Sequence, residues 1–322
     1  MITHPDKVLF PDDGITKADL AAYYEAAAPA MLPHIRGRAV TLERYPRGID
    51  AEGFIQKNLG KGAPEWLRRA EVPKQGGIVT HPLIGDVRSL LWMTNQNCIT
   101  PHVSTARITH ITRPDLCVFD LDPSEEDAGV LRTATLAVRD LLAELGLPSW
   151  VKTSGSKGFH VVVPLDAKAE YEDIGRFAHG VARVLVQRDP EHLTQEFIKT
   201  DRGGRIFVDL GRNSYGATYA APYAVRARPG APVSAPCTWE EVEAGAVGPQ
   251  TFTVHNMPDR LAEGDLWAGL RAARRSVRRP LAQLRRMLGD EWVEDPHRAQ
   301  ATARNEAMRA GRARAAKSRS GA

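Results

Sequence analysis

The chain has 322 residues, of which 43% are hydrophobic and 25% charged, and its formal net charge is +4. This composition supports one large core or two lobes around a cleft, and the lack of a long apolar run excludes a membrane span. The first ten residues lack a charged segment followed by an apolar one, so no secretory signal is predicted. Three widely spaced cysteines fit a reducing, cytoplasmic location rather than a disulfide framework.

Charge is distributed unevenly along the chain. Residues 271–322 carry 14 Lys and Arg against 5 Asp and Glu, whereas residues 1–270 carry 29 against 34. A basic segment is typical of proteins that bind a polyanion such as nucleic acid, although a solvated helix would have the same composition. We therefore predict a basic, helical C-terminal tail over residues 271–322.

The body is predicted to divide into an N-terminal lobe at about 1–112 and a catalytic core at about 113–270.

The first predicted elements are an extended segment, a turn and a helix. Lys7–Phe10 is extended and precedes a turn at Pro11–Gly14. Thr16 then has the features of a helix N-cap, because its hydroxyl can accept from the first turn and Asp19 follows three residues later. The helix that follows is rich in alanine. Short strands and turns are predicted after it, at 39–58 and 70–112.

The pattern becomes more regular after residue 112. An apolar run from Leu116 to Leu121 predicts a strand, and helices and strands alternate after it. This alternation predicts an α+β enzyme with a mixed or antiparallel central sheet flanked by helices. The later elements are predicted as a helix at 130–145, strands at 150–153 and 159–165, a helix at 171–188, a strand at 206–210, a loop at 228–250, and Arg-rich helices after 271.

Three aspartates lie on predicted strands. Asp120 and Asp122 are two residues apart, so their carboxylates point to one face, where they repel each other unless a cation lies between them. Such hard oxygen ligands suit Mg²⁺ or Mn²⁺, although a strand that ends in an Asp-Pro turn would read the same way. Asp209 is placed inside an apolar strand and requires either that cation or an arginine partner, Arg205 or Arg212.

The loop between two predicted strands collects groups that are typical of phosphate binding. Its glycines allow a tight turn whose backbone N–H groups can face an anion, and its side chains offer hydroxyls, an ammonium and an imidazole. No helix follows the loop, so it is not a P-loop, and an ordinary hairpin turn is the alternative interpretation. The residues concerned are Ser154, Gly155, Ser156, Lys157, Gly158 and His160.

The order of these motifs resembles the archaeo-eukaryotic primase superfamily, and most closely the polymerase domain of bacterial ligase D, an enzyme of non-homologous end joining. The resemblance covers nearly all of residues 1–270 and implies an RRM-like primase-polymerase core. Further segments that fit it are Asp6–Pro11, Phe54–Asn58, Trp92-Met93 with Asn95-Gln96, Pro101-His102, and Ala221–Tyr223 with Arg226.

The resemblance also implies roles for individual residues. Asp120 and Asp122 would bind two Mn²⁺ or Mg²⁺ ions, and Asp209 would complete the site of the catalytic ion. The ions would polarise the α-phosphate, activate the primer 3′-hydroxyl and stabilise the leaving pyrophosphate. The implied nucleotide-binding residues are Ser154, Gly155, Ser156, Lys157, His160, His102, Arg202 and Arg226.

DNA contacts are implied in the N-terminal lobe. Lys7 and Lys17 match a pair that binds a 5′-phosphate on the downstream strand. Phe54 and Lys57 match residues that contact the template. Ile55 stands where relatives often carry an aromatic ring that stacks on the template base, so we expect template binding or gap preference to differ.

The implied activity is extension of primers and filling of short gaps in DNA repair, with a preference for ribonucleotides and for 5′-phosphorylated gaps. Arg212 departs from the pattern, because a polar amide is more usual there. No ligase lysine motif and no nuclease motif occurs, which predicts a stand-alone polymerase that works at the nucleoid with a separate DNA ligase and an end-binding protein. Priming without a primer, non-catalytic bridging of DNA ends, and metal-dependent phosphate hydrolysis are the alternatives.

Overall fold

Two larger β-sheets, three two-stranded sheets and the helices packed on them form the part of the chain that the computed structural model describes, residues 2–294. Residues 295–322 of the predicted basic tail therefore lie outside the described residues. Within residues 2–294, no helix is both long enough and apolar enough to cross a membrane. The helices are α1 (Lys17–Ile35), α2 (Val87–Asn95), α3 (Ala128–Glu144), α4 (Tyr171–Arg188), α5 (Trp239–Glu243), α6 (Met257–Ala262) and α7 (Arg278–Leu288).

Sixteen short strands are present in the same residues. They are β1 (Val8–Phe10), β2 (Ile15–Thr16), β3 (Arg38–Arg44), β4 (Phe54–Gln56), β5 (Arg69–Lys74), β6 (Gly77–Pro82), β7 (Cys98–Arg107), β8 (Leu116–Pro123), β9 (Trp150–Thr153), β10 (Phe159–Pro164), β11 (Leu193–Thr194), β12 (Ile206–Asp209), β13 (Thr218–Ala220), β14 (Ala224–Val225), β15 (Val233–Ser234) and β16 (Pro236–Cys237).

The central sheet has six strands in the order β11-β12-β8-β10-β9-β16. Only the β11–β12 pair is parallel, which confirms the mixed sheet predicted for the core. Helices α3 and α4 cover one face, where the ring centroids of Phe119 on β8 and Phe177 on α4 lie 6.2 Å apart. Because successive side chains alternate between the faces of a strand, Asp120 and Asp122 point to the opposite face, away from α4.

A second, antiparallel sheet has the order β13-β7-β3-β4. Its edge strand β13 comes from the later half of the chain and pairs with β7, while α1 packs nearby. The hydroxyl of Tyr24 on α1 donates to the carbonyl of Ile99 at 2.6 Å and accepts from the backbone N–H of Val225 at 3.1 Å. Elements from both halves of the sequence therefore close the space above the central sheet, and the lobe boundary near residue 112 stays a prediction.

The N-terminal hairpin and α1 confirm the local expectations. The hydroxyl of Thr16 accepts from the backbone N–H of Asp19, and the Asp19 carboxylate accepts from the backbone N–H of Thr16. The turn at Pro11–Gly14 folds the chain back, so that the Lys17 backbone N–H donates to the Lys7 carbonyl at 2.8 Å. Strands β1 and β2 pair across this turn.

The prediction of a loop over residues 228–250 is wrong. Strands β15 and β16 and helix α5 lie in this segment, and Thr238 caps α5 by accepting from the N–H of Glu241. Two-residue strands are too short to show a hydrophobic period, which explains why the sequence pattern missed them. Strand β16 extends the central sheet, where Pro236 lies opposite Lys152 of β9.

A buried ionic cluster joins the two sheets. Both guanidinium Nη atoms of Arg38 donate to Asp115, at 2.6 and 2.9 Å, and the Nε of Arg107 donates to the same carboxylate at 3.0 Å. Arg38 is 2% exposed and Asp115 6%. Burial opposes ionisation of Asp115, but Arg38 and Arg107 together lower its pKa below the ordinary value. The cluster therefore fixes β3, β7 and the start of β8 as a unit.

We expect Asp115→Asn to destabilise the fold by about 3–5 kcal/mol, because it leaves the buried guanidinium of Arg38 and the half-buried one of Arg107 short of a counter-charge. Urea unfolding at pH 7 measures the loss. Asp140→Asn is the matched control, because Asp140 pairs with Arg139 at an exposed site and should change the free energy of unfolding by about 1 kcal/mol or less. A loss of the same size in both variants would contradict this account.

Candidate active site

A cavity of about 210 Å³ lies on the face of the central sheet that points away from α3 and α4. Strands β7 and β13 of the second sheet form its opposite wall. The cavity brings together all three predicted aspartates and six of the predicted nucleotide-binding residues. The lining residues are His102, Asp120, Leu121, Asp122, Ser154, Ser156, Lys157, Gly158, His160, Asp209, Arg212, Tyr219, Ala220 and Arg226.

Four ionisable side chains form a row across the central sheet. Asp120 of β8 lies directly opposite Asp209 of β12 on one side and opposite His160 of β10 on the other. His160 in turn lies opposite Lys152 of β9. Directly opposed residues have Cβ atoms about 4.5–5.5 Å apart, so each group feels the charge of the next. The row runs acid, acid, imidazole, ammonium.

The imidazole and the ammonium in this row are deeply buried. Burial and the nearby Lys152 lower the pKa of His160 to about 4, so His160 is neutral at pH 7 and its Nε2 lies 3.3 Å from Asp120 Oδ1. Burial, reinforced by Arg226, lowers the pKa of Lys152 well below its ordinary value, and its Nζ donates to the hydroxyl of Ser234. Burial therefore disfavours the charged form of both groups at this end of the row.

Arg212 supplies the counter-charge at the acidic end. Its Nε lies 3.3 Å from Asp120 Oδ2 and its Nη2 lies 3.4 Å from Asp209 Oδ2. Burial opposes ionisation of Asp120, but His160 and Arg212 lower its pKa far below the ordinary value. Burial raises the pKa of Asp209, and Arg212 offsets only part of that rise. One guanidinium thus occupies the space between two carboxylates.

The third aspartate is paired differently. Asp122 Oδ2 accepts from Arg202 Nη1 at 2.9 Å. The other two guanidinium nitrogens of Arg202 donate to the carbonyls of Glu196 and Phe197, at 3.1 and 3.2 Å. Arg202 is 6% exposed and does not line the cavity. Three of its five N–H donors are already used, and its phosphate contact stays a prediction.

The carboxylates have the right chemistry for a divalent cation, but the two arginines separate them. In the region from residue 2 to residue 294, no three His, Cys, Asp or Glu side chains are grouped so that they could hold a metal ion. The donor set nevertheless fits one. Asp120 and Asp209 are adjacent oxygen ligands of the type that Mg²⁺ and Mn²⁺ prefer.

The loop after β9 is held rigidly by its own hydrogen bonds. The hydroxyl of Ser154 accepts from the backbone N–H groups of Ser156 and Gly158, both at 3.1 Å. The N–H of Gly155 donates to the carbonyl of Pro249 at 3.0 Å. The backbone contacts to an anion that the sequence predicted are therefore not available at these three positions, and the side chains must supply them.

Both glycines of the loop are required by close packing. Gly155 has φ +64°, and a Cβ there would lie 2.6 Å from Cγ of Arg226. A Cβ on Gly158 would lie 1.8 Å from the carbonyl oxygen of Leu121, between the two acids of β8. The loop can therefore approach the carboxylates only because these positions lack side chains.

The cavity-lining residues include two buried nitrogen atoms without a hydrogen-bond partner within the described residues and one exposed ammonium. Arg226 Nη1 donates to the carbonyl of Ser154 at 2.8 Å, but its buried Nε has no acceptor among residues 2–294. The buried Nδ1 of His160 is likewise without a partner in this part of the chain. Lys157 is largely exposed, with its Nζ 3.9 Å from Glu126. Buried polar atoms without partners are uncommon in native proteins, and here they line the cavity that the loop closes.

His102 is oriented by residues that the sequence did not indicate. Its Nε2 lies 2.8 Å from Glu43 Oε2, and the hydroxyl of Tyr45 donates to Glu43 Oε1 at 3.0 Å. Burial opposes ionisation of Glu43, but the bond from His102 lowers its pKa to about 2. Lys152 was also missed, although a lysine in the apolar strand before the loop is a signal that could have identified it.

Lys7 and Lys17 are brought together by the β1–β2 hairpin. Lys17 is 2% exposed, and its Nζ donates to the carbonyl of Thr3 at 3.0 Å and to Asn95 Oδ1 at 3.1 Å. Lys7 Nζ donates to the carbonyl of Pro46. Burial, and then the charge of Lys7, lower the pKa of Lys17. Two ammonium groups are therefore held near each other at the start of α1.

The predicted template residues lie on the edge strand of the second sheet. Phe54 and Ile55 on β4 are 47% and 55% exposed, and the guanidinium carbon of Arg44 lies 5.2 Å from the centroid of the Phe54 ring. Lys57 is exposed, and its Nζ donates to the carbonyl of Gly216 at 3.3 Å. Adjacent exposed apolar side chains on an edge strand form a surface that is available to a partner.

Comparison with known proteins concerns the same part of the chain. A family model described as the primase-polymerase domain of LigD matches residues 16–267. The multifunctional non-homologous end joining DNA repair protein LigD of Mycobacterium tuberculosis is 38% identical over 280 residues, which cover 82% of this chain and 36% of that protein. The LigD protein of Pseudomonas aeruginosa is 34% identical over 295 residues, which cover 89% and 34%.

A solved structure has a similar fold. It is the polymerase domain from Mycobacterium tuberculosis ligase D in complex with DNA, with a TM-score of 0.81 and 37% identity. The match covers 85% of this chain and 99% of that one. The chain spans about a third of the length of the LigD relatives that it matches.

We expect Gly158→Ala to disrupt the site, because the added methyl group must displace the backbone of β8 at Leu121. Overpacking of this kind costs about 1–3 kcal/mol or more, and thermal unfolding measures it. Gly269→Ala is the control, since a Cβ at Gly269 meets nothing within 4 Å. An unchanged melting temperature for Gly158→Ala would mean that the loop does not press on the acidic strand.

Proposed function

The chain belongs to the LigD primase-polymerase domain family, which consists of nucleotidyltransferases, and from that premise we propose that it extends a DNA primer across short gaps during repair. The observation that carries this proposal is that one cavity is lined both by a carboxylate cluster and by a phosphate-type loop. Asp120 and Asp209 belong to the acidic part of the lining, which we call the acidic wall, and Ser154, Ser156, Lys157 and Gly158 with Arg226 form the cationic part, the cationic wall. The charge of a nucleoside triphosphate suits the cationic wall, and divalent ions suit the acidic wall.

The cationic wall would bind the triphosphate. The free Nε of Arg226 and the ammonium of Lys157 can donate to phosphate oxygens, and charge-assisted bonds of this type are about twice as strong as neutral ones. His160 is neutral at pH 7 and already faces Asp120, so it would fix that carboxylate rather than neutralise it. Binding of the nucleotide would in this way supply partners for the buried polar atoms.

The acidic wall would hold two divalent cations. Asp120 and Asp122 would bind both ions and Asp209 one, after the guanidinium groups of Arg212 and Arg202 have turned away. When bound, such ions supply Lewis-acid chemistry at a phosphoryl oxygen and lower the pKa of a coordinated hydroxyl. We propose Mn²⁺ or Mg²⁺, since all three ligands are carboxylates.

The sugar of the incoming nucleotide would lie beside His102. The Glu43–His102 pair is rigid, because Tyr45 also binds Glu43. A fixed polar group that bonds a 2′-hydroxyl discriminates against a sugar that lacks it, since the group is then left unpaired. We therefore propose a preference for ribonucleotides over deoxynucleotides.

A single-nucleotide incorporation assay tests this function. A labelled primer–template with a short gap is incubated with Mn²⁺ and either rNTPs or dNTPs. We expect extension by the wild type, with higher kcat/KM for the ribonucleotide, and a loss on the order of 10³-fold in Asp209→Asn, which keeps the shape but removes the charge. DNA binding should persist in the variant, because phosphate contacts elsewhere supply most of the affinity.

Asp166→Asn is the matched control for this assay. Asp166 follows strand β10 by two residues and lies outside the cavity, and its carboxylate pairs with the Nζ of the exposed Lys168. The extension rate of this variant should equal that of the wild type. Normal extension by Asp209→Asn would refute the assignment of the cavity, and equal kcat/KM for both sugars would refute the sugar preference alone.

We also propose that the hairpin lysines bind a terminal 5′-phosphate across the gap. A terminal phosphate carries nearly two negative charges, whereas an internal phosphodiester carries one. Lys17 already donates to Thr3 and Asn95, which leaves one N–H for a ligand, and the Lys7 carbonyl accepts from the Lys17 backbone N–H, so Lys7 lies beside it. Two ammonium groups held at one point would distinguish a strand end from continuous backbone.

The double variant Lys7→Ala/Lys17→Met should bind 5′-phosphorylated gaps tens-fold or more weakly, since each charge-assisted contact contributes about 1.5–3 kcal/mol. Binding to a 5′-hydroxyl gap should change much less. Methionine keeps the volume of the buried Lys17 side chain, and Lys7→Ala alone separates binding from any loss of stability. Equal losses on both gaps, measured by fluorescence anisotropy, would show that these lysines contact only the general backbone.

A further inference from the structure

The segment that ends the described chain carries a dense group of arginines, which we call the α7 surface. In residues 2–294 only one of them, Arg285, has an acidic partner within 4.0 Å, and that partner is Glu294. The others have no counter-charge in this part of the chain. The α7 surface consists of the exposed residues Arg271, Arg274, Arg275, Arg278, Arg279, Arg285 and Arg286.

The fold holds this surface in place. Leu284 and Leu288 of α7 are buried, and a Cβ on Gly180 of α4 would lie 3.2 Å from Leu284 and 3.0 Å from Trp292. The backbone N–H of Arg275 donates to the carbonyl of Pro164, and the carbonyl of Arg275 accepts from the N–H of Asp166, both at 3.1 Å. These hydrogen bonds attach the segment before α7 to the end of β10. The arginines therefore project from a well-packed backbone, so binding would cost little backbone conformational entropy.

Helix α7 and the cavity lie on opposite faces of the central sheet. Helix α4 packs on one face of the sheet, α7 packs on α4, and the aspartates point to the other face. The central sheet therefore lies between α7 and the cavity. A DNA segment with its primer end in the cavity cannot touch this surface at the same point.

We propose that the α7 surface binds the phosphate backbone of a DNA duplex segment other than the one in the catalytic cavity. Arg278 with Arg279, and Arg285 with Arg286, are seven residues apart on one face of the helix, about 10 Å along its axis. This spacing is close to the 12 Å width of the major groove, so the two pairs can reach phosphates on both strands. Guanidinium groups bind phosphate oxygens bidentately and need no base contact.

The α7 surface lies after the region that the family model matches. The family model ends at residue 267, before the first arginine of the group. The proposal also does not depend on catalysis, because backbone binding requires neither nucleotide nor divalent ion. A negative polymerase assay would not argue against DNA binding by the α7 surface. A negative result for DNA binding by the α7 surface would likewise not argue against polymerase activity.

A two-DNA binding experiment on the full chain tests the proposal. The cavity is first saturated with an unlabelled, 5′-phosphorylated gapped hairpin, and a fluorescent blunt duplex with 5′-hydroxyl ends is then titrated in. We expect the wild type to bind the labelled duplex without releasing the hairpin. The triple variant Arg278→Gln/Arg279→Gln/Arg286→Gln should bind it at least tenfold more weakly. The slope of log K against log salt should become shallower by about 3, close to 0.9 for each lost phosphate contact.

The matched control removes three arginines that already have acidic partners: the exposed Arg188 and the half-buried Arg139 and Arg176. Glutamine has nearly the helix propensity of arginine, so circular dichroism should show both triple variants folded. The control should bind the labelled duplex like the wild type. One-for-one displacement of the hairpin by the duplex, or equal weakening in both triple variants, would overturn the proposal. So would unchanged binding by the α7 variant.

Discussion

The structure depends on an electrostatic constraint at the middle of the central sheet. Asp209, Asp120, His160 and Lys152 lie in register on four neighbouring strands and share one face. Two carboxylates directly opposite each other are destabilising unless a cation compensates. The guanidinium of Arg212 meets that requirement at one end, and the neutral His160 separates the acids from the buried ammonium at the other. The charges and contacts of the other side chains around the cavity depend on this balance.

The need to compensate these buried charges also explains why the loop after β9 and strand β7 lie so close to the row. A charge that is withdrawn from water must find its partners within hydrogen-bonding distance. Gly158 brings the loop against the carbonyl of Leu121, and Gly155 lets Arg226 pass beside it. On the opposite wall, Glu43 orients His102. The cavity is therefore assembled from two sheets, and the Arg38–Asp115 cluster that joins them also maintains its width.

Local rules predicted much of this arrangement from sequence. Thr16 correctly predicted the start of α1, and the aspartate spacing on β8 predicted that two carboxylates share one face. Relations between distant segments were not readable in the same way. The pairing of Asp122 with Arg202, and the position of Lys152 two strands from Asp120, depend on strand register that no local pattern encodes. The two-residue strand β16 was missed because it is too short to show a period.

Strand β16 has a consequence for how the protein behaves at high concentration. The central sheet ends on one side in β16 and on the other in β11, and each is two residues long. Pro236 removes a hydrogen-bond donor from the first of these edges. Short edges that carry proline give a second molecule little backbone to pair with, which is how natural sheets resist edge-to-edge aggregation. The apolar strands that hold the carboxylates are thereby shielded from amyloid-like growth.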